Sequence, residues 1–86
     1  MDTRNKRILI VDDDRATSTL LRTLFEIEGF VGVVCPKPED VMNTARRERP
    51  DVVLMDVHLA EFDSIHILRE IRADGELRKT PVVMTS

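Results

Sequence analysis

Three short apolar runs punctuate the chain, and each ends on polar groups. Ile8-Leu9-Ile10-Val11 runs into Asp12-Asp13-Asp14, Val52-Val53-Leu54-Met55 into Asp56, and Val82-Val83-Met84 into Thr85-Ser86. Uninterrupted apolar runs of this length suit strands buried on both faces, as in parallel sheets covered by helices. Between the runs the period becomes that of a helix. Over residues 15–28, Ala16, Leu20, Leu21, Leu24, Phe25 and Ile27 recur at helical spacing, Asp13 or Asp14 can cap the start, and Gly29 supplies the stop. Residues 30–35 form a Val-rich strand in which Gly32 fits an edge position. Pro38, Glu39 and Asp40 open a second helix whose narrow apolar side is Val41, Met42 and Ala45. Arg46, Arg47 and Arg49 sit near its end, where the helix dipole favours cations, and Pro50 closes it. Residues 57–64 read as a loop, with Asp63 or Ser64 able to cap a third helix that carries Ile65, Ile67, Leu68 and Ile71 to about Ala73. Asp74-Gly75 breaks it, and Thr80-Pro81 opens the last strand.

The predicted order is therefore β-α-β-α-β-α-β, an α/β fold in which right-handed crossovers place helices on both faces of a parallel sheet. All 86 residues form one small domain, with residues 1–6 loose. The polar ends of the strands share one side of the sheet. Ligands of open parallel sheets bind there, which directs attention to Asp12, Asp13, Asp56 and Thr85.

Composition narrows the function. Thirteen basic and sixteen acidic residues are interspersed, the net charge is -3, and no basic face emerges, which argues against direct binding to nucleic acid. Cys35 is alone, so no intrachain disulfide can form, and no stretch resembles a signal peptide or a membrane span. A cytoplasmic location is expected. His58 and His66 read as solvent-facing, Met42, Met55 and Met84 as core filling, and Cys35 as a small buried apolar residue.

Converging carboxylates at Asp12, Asp13 and Asp56 repel one another. Two charges about 4 Å apart at an effective dielectric of ~20 cost roughly 4 kcal/mol, which raised pKa values or a bound cation must offset. An all-oxygen donor set of two or three carboxylates suits Mg²⁺. Asp12-Asp13-Asp14 lacks the alternating ligands, Gly and terminal Glu of a calcium loop. A carboxylate beside Mg²⁺ can attack a phosphoryl group to give an aspartyl phosphate, and a hydroxyl at Thr85 can then bond the new oxygens and act as a switch.

These motifs, with Pro50-Asp51 before the third strand, Ile71-Arg72 near the third helix's end and Thr80-Pro81 before the last strand, resemble the receiver domain of a two-component response regulator over about residues 6–86. The resemblance implies a flavodoxin-like three-layer sandwich with strand order 2-1-3-4, incomplete because the family's fifth strand and last two helices have no counterpart. It implies Asp56 as phosphoacceptor and Thr85 as switch hydroxyl beside the small Ser86. Asp12, Asp13, Asp56 and the backbone carbonyl of His58 would bind Mg²⁺, with Asp13 more direct than Asp12. It implies a sensor histidine kinase or phosphotransfer protein as partner, an output domain beyond residue 86, and signalling rather than enzymatic turnover. Ala60 stands where the family usually has Pro, Ser64 where it usually has Gly, and the Lys that ends its fifth strand is missing. Lys6, Lys37 and Lys79 do not replace it, so weak phosphorylation switching is expected. Two alternatives stand beside this reading. One is an interaction module that dimerises through the exposed edge of the fourth strand. The other is a haloacid-dehalogenase-like phosphatase, disfavoured by Ala16, which stands where that family has Thr or Val.

Overall fold

The computed structural model describes residues 5–59 and 62–86. Its elements are β1 (Arg7–Val11), α1 (Arg15–Ile27), β2 (Val31–Cys35), a 3₁₀ turn (Pro38–Asp40), α2 (Val41–Glu48), β3 (Val52–Asp56), β4 (His58–Leu59), β5 (Phe62–Asp63), α3 (Ser64–Ala73) and β6 (Val82–Thr85). Four parallel strands make one sheet in the order β2-β1-β3-β6, the expected topology of this flavodoxin-like architecture.

The apolar runs form the sheet because both of their faces are covered where they are longest. On one face Leu9, Val11, Val53 and Met55 meet Val41 and Ala45 of α2 and Ile67 and Ile71 of α3, all of them buried. Each fully buried aliphatic side chain there contributes roughly 1.5–3 kcal/mol. Met42 and Met84 pack against this core, and Cys35 is buried in it, as expected. On the other face α1 lies over β1 and β2, covering Ile8 and Ile10. Gly32 permits that approach, since a Cβ there would lie 2.7 Å from Arg22 Cγ. Gly29, at φ 94°, turns the chain out of α1 into β2.

Several local expectations change. Leu20, Leu24 and Ile27 are 58%, 49% and 73% exposed, and the residue that α1 buries fully is Ser18. The apolar stripe is wider than the pair of strands beneath the helix, so part of it faces outward. Ile65 is likewise exposed on α3, while Ile67 and Ile71 point into the core. α2 starts at Val41 instead of Pro38, because the Asp40 N–H closes a tighter turn on the Lys37 carbonyl at 2.9 Å. Residues 57–64 are not a plain loop: β4 and β5 pair antiparallel, His58 opposite Asp63 and Leu59 opposite Phe62. Ala60, the position of a family departure, lies outside the described residues, as do residues 1–4. Asn5 N–H reaches the Gly29 carbonyl at 3.3 Å, and the Lys6 carbonyl accepts from Val31 at 2.8 Å. No helix among the described residues is long and apolar enough to cross a membrane.

Candidate functional site

Parallel register brings the polar strand ends together. Val11 pairs with Met55, so Asp12 follows β1 level with Asp56, and Asp56 itself pairs with Thr85. One carboxylate oxygen each from Asp12, Asp13 and Asp56 lies within 4.8 Å of the others. Asp12 is buried, Asp56 half-buried and Asp13 exposed. Asp12, Asp56, Thr85 and Ser86 line a cleft of about 360 Å³, with Thr17 and Leu21 of α1 forming part of its wall.

Local hydrogen bonds fix these groups. Asp12 Oδ1 accepts from the Asp14 N–H at 2.9 Å, and its carbonyl accepts from the buried Ser18 hydroxyl at 3.1 Å, tying the first turn of α1 to the end of β1. Asp14 caps α1, accepting from the Ala16 N–H at 3.1 Å and the Thr17 hydroxyl at 2.8 Å, so it serves the helix and not the cluster. Asp56 Oδ1 accepts from the His58 N–H at 2.8 Å, and its carbonyl accepts from the Ser64 hydroxyl at 2.7 Å. Among the described residues no donor reaches Asp56 Oδ2, the oxygen available for attack or ligation. The Val57 N–H bonds the Thr85 carbonyl at 2.8 Å, holding β6 beside the acceptor strand.

Electrostatics follow from this geometry. Burial pushes the Asp12 carboxyl above its usual range, and the charges of Asp56, Asp13 and Asp14 add to the rise, while the Asp14 N–H opposes it. The Thr17 hydroxyl holds Asp14 below that range. A hard divalent cation fits three carboxylates of this kind: all donors are oxygen, the cluster is open to water on the Asp13 side, and their mutual repulsion favours positive charge.

The strand pattern thus located Asp12, Asp13, Asp56 and Thr85 together at one strand-end cluster. The His58 side chain is exposed while its N–H serves Asp56. Ser18 and Ser64 were missed as supports of the site. Asp63 is the cap of α3, accepting from the Ile65 N–H at 3.0 Å, which frees Ser64 for the Asp56 carbonyl. A Ser on the sheet-facing side of α1 was the available signal for Ser18.

Comparison with known proteins gives this geometry its context. The polar-differentiation response regulator DivK of Brucella anthropi is 32% identical over 78 residues, covering 91% of this chain and 63% of that protein. The DNA-binding response regulator MtrA of Mycolicibacterium smegmatis is 37% identical over 84 residues, 98% of this chain and 36% of that protein. The chain therefore spans about a third to two-thirds of the length of these relatives. The N-terminal domain of a response regulator receiver protein from Methanoculleus marisnigri JR1 superposes with a TM-score of 0.88 at 28% identity, covering 93% of this chain and 65% of that one. The model of the response regulator receiver domain matches residues 8–86, and with the carboxylate cluster in place at the strand ends, the chain belongs to that family of signalling domains.

Proposed function

We propose that Asp56 accepts a phosphoryl group from a phosphohistidine of a sensor kinase or phosphotransfer protein in a cytoplasmic two-component relay. The observation that carries this reading is the meeting of Asp12, Asp13 and Asp56 within 4.8 Å, beside the Thr85 hydroxyl in register with Asp56. Asp12, Asp13, Asp56 and the His58 carbonyl would hold Mg²⁺, which supplies charge neutralisation at the carboxylates and at the transferring phosphoryl oxygens. Asp56 Oδ2 attacks phosphorus, the P–N bond to the donor histidine breaks, and the imidazole leaves. Thr85 then hydrogen-bonds the new oxygens, drawing the end of β6 towards Asp56 and altering the neighbouring surface that an output domain or partner reads.

No Lys or Arg forms an ion pair with the cluster among the described residues. Incubation with acetyl phosphate and Mg²⁺, read by intact-mass spectrometry, should give Mg²⁺-dependent labelling that Asp56→Asn abolishes. Undiminished labelling of Asp56→Asn would discard the site assignment, and labelling that does not depend on Mg²⁺ would contradict the role given to the carboxylate cluster.

Self-association is favoured by a separate observation. Among the described residues β6 is the outermost strand on its side of the sheet, and Val83 on it is 50% exposed. Pairing of β6 edges between two chains would extend the sheet and cover part of this apolar surface. Sedimentation should show mass rising with concentration; a monomer at all concentrations would remove this reading.

A further inference from the structure

On the face of the sheet that α2 and α3 cover, these helices and β5 enclose a groove of about 330 Å³. Its apolar surface is Met42, Phe62 and Ile67, and its rim carries Glu39, Asp63 and Glu70. Among the described residues no Lys or Arg lines it. Arg46, one turn beyond Met42 on α2, is drawn away by Asp74, which it grips through Nε at 2.8 Å and Nη2 at 2.6 Å. Among the described residues the one basic side chain on the lining is His66, 3.3 Å from Glu70.

Phe62 distinguishes this groove from an ordinary seam between helices. The other two phenylalanines, Phe25 and Phe30, pack edge to face on each other with centroids 5.8 Å apart, whereas Phe62 is 41% exposed. An exposed aromatic ring beside an adaptable Met, ringed by carboxylates, is the surface that an apolar anchor flanked by cations complements. On either side of the β4–β5 pair, the His58 N–H bonds Asp56 Oδ1 and the Ser64 hydroxyl bonds the Asp56 carbonyl.

We propose that this groove docks a cationic segment of a partner protein, which inserts one large apolar side chain against Phe62, Met42 and Ile67 while its Lys or Arg neighbours meet Glu39, Asp63 and Glu70. None of the residues that line the groove lines the cleft at Asp56. Acidic or nucleic-acid partners are repelled by the same rim.

The test uses a fluorescein-labelled peptide of Lys and Arg around a single central Leu, a matched peptide with central Gly, and a third with Glu for every cation. Binding to the 86-residue chain is read by anisotropy and mapped by amide chemical shifts. The Leu peptide should bind saturably with shifts centred on Met42, Phe62 and Ile67, the Gly peptide about tenfold more weakly, and the Glu peptide not at all. Phe62→Ser, and Glu39→Lys with Glu70→Lys, should each weaken the Leu peptide about tenfold or more. Shifts centred on Asp12, Asp13 and Asp56, equal binding of the Leu and Gly peptides, or no saturable binding would each overturn the proposal. The two peptides on the wild type decide it even where a variant folds poorly.

Discussion

Where the strands begin, carboxylates are matched. Glu48 lies 2.9 Å from the Arg7 guanidinium, Asp51 Oδ2 accepts the Arg7 N–H at 2.7 Å, and Asp74 takes the Arg46 guanidinium at 2.6 Å. Where the strands finish, Asp12, Asp13 and Asp56 face one another, with backbone amides bonding Asp12 and Asp56 and no ion pair to a Lys or Arg among the described residues. The same sheet therefore has one end whose charges close on themselves and one whose charges are left open. An acidic residue matched by a guanidinium belongs to the first kind. The second kind stores repulsion that an incoming cation relieves, the signature of a site rather than a surface.

The largest change expected is one that undermines both ends at once. Ile71 is fully buried in the core shared by β1, β3, α2 and α3, and Ile71→Ala should cost about 2–5 kcal/mol in urea unfolding. A loss under ~1 kcal/mol would mean that the core does not support the sheet as described.

Relieving the open end should act the other way. Asp12→Asn keeps an acceptor for the Asp14 N–H and removes one of the three opposed charges. With chelator present at neutral pH, it should stabilise the protein by about 1 kcal/mol or less, because solvent around Asp13 screens the repulsion. The pH dependence follows from the raised carboxyl of Asp12. The native state holds that proton to higher pH than the unfolded chain, so stability falls as pH rises from the ordinary carboxylate range through the raised value. Asp12→Asn should flatten that decline, and an unchanged pH profile in urea titrations would count against the repulsion.

The smallest effect belongs to the closed end. The Arg46 guanidinium, with help from nearby amides, holds Asp74 below the usual carboxylate range. Stability from this pair is present at neutral pH and is lost as pH falls through the carboxylate range towards the lowered native value. Arg46→Ala should lower the melting temperature modestly at pH 7 and have less effect at strongly acidic pH. An equal drop at both would assign Arg46 a packing role instead.

Much of this was legible in the sequence because burial on both faces demands continuous apolar runs, and the residue after each run is then fixed at the same edge of the sheet. That logic located Asp12, Asp13, Asp56 and Thr85 without any contact information. What escaped depended on geometry that periodicity does not encode. Helical spacing identified α1, but the width of sheet beneath it decides that Leu20, Leu24 and Ile27 face outward. Ser18 and Ser64 read as unremarkable polar residues, and only the folded chain brings their hydroxyls to the carbonyls of Asp12 and Asp56. The hairpin at His58–Leu59 and Phe62–Asp63 is too short to announce itself by alternation.

The central claim is that three carboxylates from two strand ends act as one divalent-cation site. Thermal unfolding of the wild type and of Asp12→Asn, Asp13→Asn and Asp56→Asn, with and without Mg²⁺ at matched ionic strength, tests it most directly. At a Mg²⁺ concentration tenfold above its Kd the wild type should gain about 1.4 kcal/mol, and each variant should lose most of that gain. A wild type that responds to Mg²⁺ no more than to the sodium control, or variants that keep the full response, would contradict it.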